Sequence, residues 1–299
     1  MEVGRHVYMG AGWSGHRCRP DDSGGARAMR VSAGNSTWED QGMAWDIERV
    51  DGCAVVVMNS NKVNVQNDGF FADLHAAFDV LERDFSACPV VLTGQGDVFS
   101  AGIDFRYSFD IFGSGDLDII RAWYRAYRET NLRIFRYPRP TVAAVNGHAI
   151  AGGLITALDC DFRIAARKPA TFGLNEVPIG IPMPAAYVEI IKYALGERVG
   201  ALTTLRGLLY TLEEAEDLGF FHAVVAPEQL LPAAIRWAGC IDPDCNIAYA
   251  MSKKALQDNT LRQIEERTTV LDAALAEGMS DAGNRRAQDR RRREIMKNG

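Results

Sequence analysis

The sequence predicts an α/β fold in which a mostly parallel sheet is flanked by helices. Apolar, β-branched runs at 53–58, 90–94 and 141–145 are bounded by turn residues, which is typical of buried strands. Between the first two runs, apolar residues recur at helical spacing over 70–85. The order strand, helix, strand, helix, strand favours a parallel sheet with helices on its faces.

The remaining elements follow from the same signals. Residues 120–127 carry an apolar helical face, and that helix must end before Pro138. A fourth strand is predicted at 162–165, and the chain beyond residue 184 has a mainly helical pattern, with helices near 228–240, 247–257 and 262–276. Thr211 and Glu214 have the spacing of a capping box, which predicts a helix start.

Composition excludes several classes of protein. The 299 residues carry a formal net charge of −6, which is a poor match for wrapping nucleic acid. No apolar run reaches the ~18 residues of a membrane span, and no secretory leader pattern opens the chain. The six cysteines form no CxxC pair, which favours a reducing compartment. We therefore expect a cytoplasmic protein without nucleic-acid or membrane partners.

The chain divides into three regions. Residues 1–42 hold 8 of the 28 glycines and little periodic apolar sequence, so we expect a flexible N-terminal extension. Residues 43–195 contain the predicted β/α core. Residues 196–299 form the predicted helical C-terminal region.

Three glycine-bearing turns follow strands, at 99–105, 146–154 and 172–180. Small residues there allow a ligand to approach the backbone and to use its N–H groups. The turns contain neither GxGxxG nor GxxxxGK[ST], so no phosphate-binding loop is predicted. The five histidines have no metal-ligand spacing, and we expect no metal.

Taken together, the turns resemble the crotonase superfamily, which is the enoyl-CoA hydratase/isomerase family. The segments that carry the resemblance are Ser-Ala-Gly-Ile-Asp at 100–104, Asn-Gly-His-Ala-Ile-Ala-Gly-Gly at 146–153 and Gly-Leu-Asn-Glu-Val-Pro-Ile-Gly at 173–180. The similarity extends from about Val50 to about Gln257. It implies a core built as a spiral of repeated ββα units and a helical C-terminal trimerisation region, hence a homotrimer or homohexamer.

The resemblance also implies a site for the enolate of an acyl-CoA thioester. The backbone N–H groups of Ile103 and Gly152 match the family's oxyanion hole, which would stabilise charge on the thioester oxygen. Hydratases of the family hold water between two glutamates. Glu176 matches one of them, but Ile155 stands at the position of the other and can neither orient water nor transfer a proton.

This pattern is similar to that of the single-glutamate Δ3-Δ2-enoyl-CoA isomerases. The expected reaction moves a double bond from C3 to C2, with Glu176 as the proton shuttle. A crotonase-fold C–C hydrolase or decarboxylase, with His148 as a base, is an alternative, and a non-catalytic CoA-binding member is another.

The resemblance assigns further residues to substrate and CoA binding. Coenzyme A would enter as part of the substrate, and no separate cofactor is expected. The assigned positions are Lys62, Val63, Val65, Ala101, Gly102, Asp104, Phe105 and Gly153.

Overall fold

The computed structural model describes residues 45–279 and 281–298. The expected extension at 1–42 lies outside these residues. The strands are β1 (Asp46–Val50), β2 (Cys53–Met58), β3 (Val65–Gln66), β4 (Val90–Gly94), β5 (Val98–Ser100), β6 (Gly102–Ile103), β7 (Thr141–Val145), β8 (His148–Ile150), β9 (Phe162–Ala166), β10 (Phe172–Gly173), β11 (Leu209–Tyr210) and β12 (Ala223–Val225). The helices are α1 (Asp68–Asp84), α2 (Phe105–Gly113), α3 (Leu117–Phe135), α4 (Gly152–Leu158), α5 (Ala185–Arg206), α6 (Leu212–Asp217), α7 (Leu230–Ala238), α8 (Asn246–Met279) and α9 (Ala282–Asn298).

The strands form one large sheet and two small ones. The large sheet has six strands in the order β1-β2-β4-β7-β9-β12, and it is parallel except for the β1–β2 pair. A four-stranded sheet has the order β11-β10-β8-β5, and β3 pairs with β6. The predicted parallel sheet is confirmed.

A repeated unit generates this arrangement. One strand enters the large sheet, the next strand enters a small sheet, and a helix then returns the chain to the large sheet. The sets β2-β3-α1, β7-β8-α4 and β9-β10-α5 follow this course. The expected spiral of ββα units is therefore confirmed, and it places the start of each helix beside the small sheets.

The local patterns produced the expected elements. Helix α1 buries Phe71, Leu74, Phe78 and Leu81, which are the positions that its periodicity selected. Each branch of the capping box at α6 is formed: the Thr211 N–H donates to Glu214 Oε2 at 2.8 Å, and the Glu214 N–H donates to Thr211 Oγ1 at 3.3 Å.

The large sheet has an apolar core on each face. Along β7, Ala143 and Val145 join the main core, whereas Val142 and Ala144 pack in a second core that includes Ala234 of α7. Alternate side chains of a strand point to opposite faces, so a strand buried on both sides reads as a continuous apolar run. Burial on both faces explains why the strand sequences are apolar throughout and do not alternate with polar residues.

A buried ion pair docks α8 on the large sheet. Lys253 of α8 lies 2.9 Å from Asp161, and the two side chains are 5% and 10% exposed. Asp161 also accepts hydrogen bonds from the Thr141 N–H and from the Tyr249 hydroxyl. These bonds satisfy the carboxylate and fix the helix against β7 and β9.

The C-terminal region differs in two ways from a purely helical one. It supplies β12, which completes the large sheet beside β9, so the sheet draws its last strand from beyond residue 195. The separate helices expected at 247–257 and 262–276 are one continuous helix, α8, because no glycine or proline interrupts the chain between them. In the described part of the chain, no helix is long and apolar enough to cross a membrane.

Candidate active site

Glu176 lies in the loop that follows β10 and is only 3% exposed. Its backbone carbonyl accepts hydrogen bonds from the N–H groups of Ile179 and Ile181, at 3.1 and 3.0 Å, which fix the loop. Helix α9 covers the next turn, where Gln288 donates from Nε2 to the Gly180 carbonyl at 3.0 Å. The carboxyl group is thus held in a shielded position by main-chain bonds on its own loop.

The carboxylate of Glu176 has the properties of a general base. Neither oxygen has a hydrogen-bond partner among the described residues. Burial raises the pKa of Glu176 to about 7, although the nearby N–H groups of Glu176 itself and of Asn175, which lie outside hydrogen-bond geometry, act to lower it. A base poised near neutral pH can both take and return a proton.

The first two glycine turns lie against each other. Gly102 has φ +79°, a region that favours glycine, and a Cβ at this position would overlap the Ile150 carbonyl and approach Gly152 N to 2.9 Å. The third turn joins them, because the Ala151 N–H donates to the Gly173 carbonyl at 2.8 Å. The three turns, which are separated in sequence, therefore meet.

The two expected oxyanion donors lie at this meeting point. In the β3–β6 pair, the Asp104 N–H donates to the Gln66 carbonyl at 2.9 Å. Successive N–H groups of an extended strand point in opposite directions, so the Ile103 N–H faces away from β3. Gly152 is the first residue of α4, where an N–H has no acceptor within the helix. The β3–β6 pairing therefore leaves the Ile103 N–H unused, and helix α4 leaves the Gly152 N–H unused.

Ile155 provides no second carboxylate. It is fully buried in α4 and packs in the main core. One turn further along, Asp159 is 1% exposed, and neither of its oxygens has a partner among the described residues. Burial raises the pKa of Asp159 well above its usual range, against the effect of Lys253. Asp161, on the other side of Cys160, differs from Asp159 because its carboxylate accepts from the Thr141 N–H.

Two of the segments assigned to CoA binding, at 62–65 and 101–105, are adjacent in the structure. Asn61 Oδ1 accepts from the N–H groups of Val63 and Val65, which shapes the turn that carries exposed Lys62. The Ala101 N–H donates to the Val63 carbonyl at 3.0 Å and holds this turn beside the first glycine turn.

Three of the assigned residues have a structural role in this arrangement. Asp104 caps α2, because its carboxylate accepts from the N–H groups of Arg106 and Tyr107. Phe105 is the first residue of that helix. Gly153 lies so close to the Ser100 carbonyl that a Cβ would clash with it.

A buried polar network behind Gly152 was not anticipated from the sequence. The Tyr127 hydroxyl donates to Gln66 Oε1 at 2.7 Å, and Gln66 Nε2 donates to Thr156 Oγ1 at 2.8 Å and to the Gly152 carbonyl at 3.2 Å. Burial, followed by the charges of Glu176 and Asp159, raises the pKa of Tyr127. Thr156, a polar residue between apolar neighbours, gives a weak sequence signal, but Gln66 lies between Val65 and Asn67 and gives none.

His148 is engaged by the backbone. Its Nδ1 accepts a hydrogen bond from the Thr171 N–H at 3.0 Å. In a neutral imidazole with Nδ1 as acceptor, Nε2 carries the proton and is a donor. His148 is therefore not set up as a base. Among the described residues, no cluster of three His, Cys, Asp or Glu side chains is arranged to hold a metal ion.

Known proteins are similar to this chain in sequence and in fold. The profile of the enoyl-CoA hydratase/isomerase family matches residues 48–289. The human mitochondrial enoyl-CoA delta isomerase 1 is 32% identical over 218 residues, which are 71% of each chain. A putative enoyl-CoA hydratase of Thermus thermophilus is 32% identical over 211 residues, 68% of this chain and 79% of that one.

A solved structure agrees with these relatives. The crystal structure of human mitochondrial Δ3-Δ2-enoyl-CoA isomerase superposes with a TM-score of 0.76 at 25% identity, covering 86% of this chain and 99% of that one. The chain accordingly belongs to the enoyl-CoA hydratase/isomerase family of acyl-CoA enzymes, with the crotonase fold.

Proposed function

We propose that the protein isomerises 3-enoyl-CoA thioesters to 2-enoyl-CoA thioesters, with Glu176 as the only proton carrier. The observation that carries this proposal is a buried glutamate without a hydrogen-bond partner, and it is joined by the sequence resemblance, which puts buried Ile155 at the position of a hydratase's other carboxylate. One carboxylate is sufficient for a 1,3-proton transfer, whereas activation and orientation of water call for more than an apolar side chain.

The reaction then proceeds in two balanced steps. The Glu176 carboxylate takes a proton from C2, and the electron pair of the C–H bond becomes the enolate of the thioester. The N–H groups of Ile103 and Gly152 stabilise the negative oxygen. The enolate electrons then return, the double bond moves from C3–C4 to C2–C3, and C4 receives the proton from the Glu176 carboxylic acid.

The CoA portion is proposed to bind at the surface of the first glycine turn. The turn around Lys62 is fixed beside Ala101 by main-chain bonds, so a ligand would meet a preformed surface. The exposed ammonium of Lys62 supplies a positive charge for an anionic phosphate.

The substitution Glu176→Gln tests the proposal, because it retains the shape of the side chain but cannot accept a proton. We expect 3-enoyl-CoA isomerisation to fall by roughly 10³-fold or more, with little change in KM. The matched control is Glu189→Gln, since Glu189 is also buried but, unlike Glu176, is paired with Lys192 and Arg267. Unchanged isomerase turnover in Glu176→Gln would exclude the shuttle.

A further inference from the structure

Gln66 connects the two segments that carry the proposed oxyanion donors, one through its backbone and the other through its side chain. Its backbone carbonyl accepts from the Asp104 N–H, the peptide next to Ile103, at 2.9 Å. Its side-chain amide donates to the carbonyl of Gly152 at 3.2 Å. The residue is 1% exposed, so water cannot replace either bond.

The amide is itself fixed on both sides. Its oxygen accepts from the Tyr127 hydroxyl at 2.7 Å, and its nitrogen also donates to Thr156 Oγ1 at 2.8 Å. Thr156 in turn donates to the Gly152 carbonyl at 3.1 Å. These bonds allow only one orientation of the amide, in which Nε2 faces Gly152.

The geometry leaves Gly152 little freedom. A Cβ on this residue would clash with the Tyr127 hydroxyl and with Gln66 Oε1, so both groups lie directly against its Cα. Ala151, the preceding residue, has φ +52°, which is unfavourable for a residue other than glycine and must be maintained by its surroundings. Two donors to the Gly152 carbonyl, from Gln66 and Thr156, provide such a constraint.

We propose that Gln66 is a positioning residue of the oxyanion hole, which aligns Gly152 with Ile103 through its backbone and side-chain hydrogen bonds and acts together with Tyr127 and Thr156. This inference rests on the proposed function, because it takes the Ile103 and Gly152 N–H groups as the donors to the thioester oxygen. Gln66 itself does not touch the substrate. Its effect is on the alignment of two donors, and catalysis is sensitive to displacements of about 1 Å at such positions.

The test uses Gln66→Met, which keeps an unbranched side chain of similar length and removes both hydrogen-bonding groups. The probe is acetoacetyl-CoA, a small thioester whose enolate has its own ultraviolet absorption. An aligned oxyanion hole stabilises that enolate, so the absorbance of the bound probe reports on alignment without turnover. Binding of the probe is measured by calorimetry in parallel.

We expect the wild-type protein to bind the probe largely as its enolate. Gln66→Met should lose most of the enolate absorbance at saturating probe, bind the probe more weakly by the factor that the lost enolate form contributed, and show an isomerase kcat lower by roughly 10-fold or more with a similar KM. The matched control is Gln257→Met, since Gln257 is a buried glutamine that donates to the Phe135 carbonyl. It should keep the enolate signal even if it loses thermal stability.

The outcomes distinguish failure of the positioning role of Gln66 from failure of the proposed isomerase function. Enolate absorbance in the wild type that Gln66→Met retains overturns the positioning role and leaves the proposed function intact. Absence of the enolate in the wild type, together with absent isomerase activity, overturns the proposed function itself. If Gln66→Met does not fold, Thr156→Val replaces it, because this change removes the second donor to the Gly152 carbonyl: loss of the enolate signal supports the network, and full retention contradicts it.

Discussion

At the scale of single residues, the proposed isomerisation depends on the ionisation of Glu176. Its pKa is raised to about 7 by burial, so the side chain is half ionised near this pH and mostly carboxylate above it. We predict that kcat/KM for isomerisation falls roughly tenfold between pH 8 and pH 6, because protonation removes the acceptor for the C2 proton. The measurement is a pH profile of initial rates, with circular dichroism to show that the fold persists. A flat profile down to pH 5 would contradict this assignment.

The same pKa has a consequence of opposite sign for stability. A carboxyl group whose pKa is higher in the folded state binds its proton more tightly there. Glu176 therefore lowers the free energy of unfolding as pH rises from its unfolded pKa through about 7. In the proposed mechanism, the ionised form that acts as base is therefore also the form that destabilises the fold, a trade-off between stability and activity.

Some residues of the candidate site could be located from the sequence, and others could not. Glu176, Ile103 and Gly152 stand within contiguous glycine-containing motifs, so the resemblance could locate them. Gln66 and Thr156 meet only in three dimensions, since 90 positions separate them. The bond between them depends on how β3 packs against α4, which no local pattern encodes.

At the scale of elements, the start of α4 is the most constrained part of the site. We predict that Gly152→Ala lowers isomerase kcat by roughly 100-fold, because the new Cβ must displace the Tyr127 hydroxyl or the Gln66 amide, or else shift the N–H of residue 152. Steady-state kinetics and a melting temperature provide the measurement.

The control for this substitution is Gly113→Ala, since Gly113 is exposed and a Cβ there meets nothing within 4 Å. It should match the wild type in activity. Wild-type activity in Gly152→Ala would mean that the beginning of α4 is less tightly packed than the contacts of Gly152 indicate.

The sequence predicted the secondary-structure elements better than it predicted how they pack together. Strands β4 and β7 and helix α1 follow directly from runs and periodicity of apolar residues. The three-residue strand β12 has no such signal, because its place in the sheet is determined by pairing with β9. The docking of α8 likewise depends on the Lys253–Asp161 ion pair, whose partners are 92 positions apart.

At the scale of the whole molecule, the exposed surface of α8 favours self-association. Ile247, Met251, Leu256 and Val270 are each at least 68% exposed, which is unusual for large apolar side chains on one helix. We predict a trimer or a hexamer in solution. Three chains of 32.9 kDa would give about 99 kDa by analytical ultracentrifugation. A single species with the mass of one chain would contradict this expectation.

The proposal that the protein isomerises 3-enoyl-CoA rather than hydrating 2-enoyl-CoA can be tested by comparing the two substrates. The purified protein is given a 3-enoyl-CoA and, separately, the 2-enoyl-CoA of the same chain length, and the products are separated by chromatography. We predict rapid conversion of the 3-enoyl thioester to the 2-enoyl thioester and little 3-hydroxyacyl-CoA, since buried Ile155 cannot support a hydrating water. Formation of 3-hydroxyacyl-CoA at a rate equal to or above that of isomerisation would contradict it.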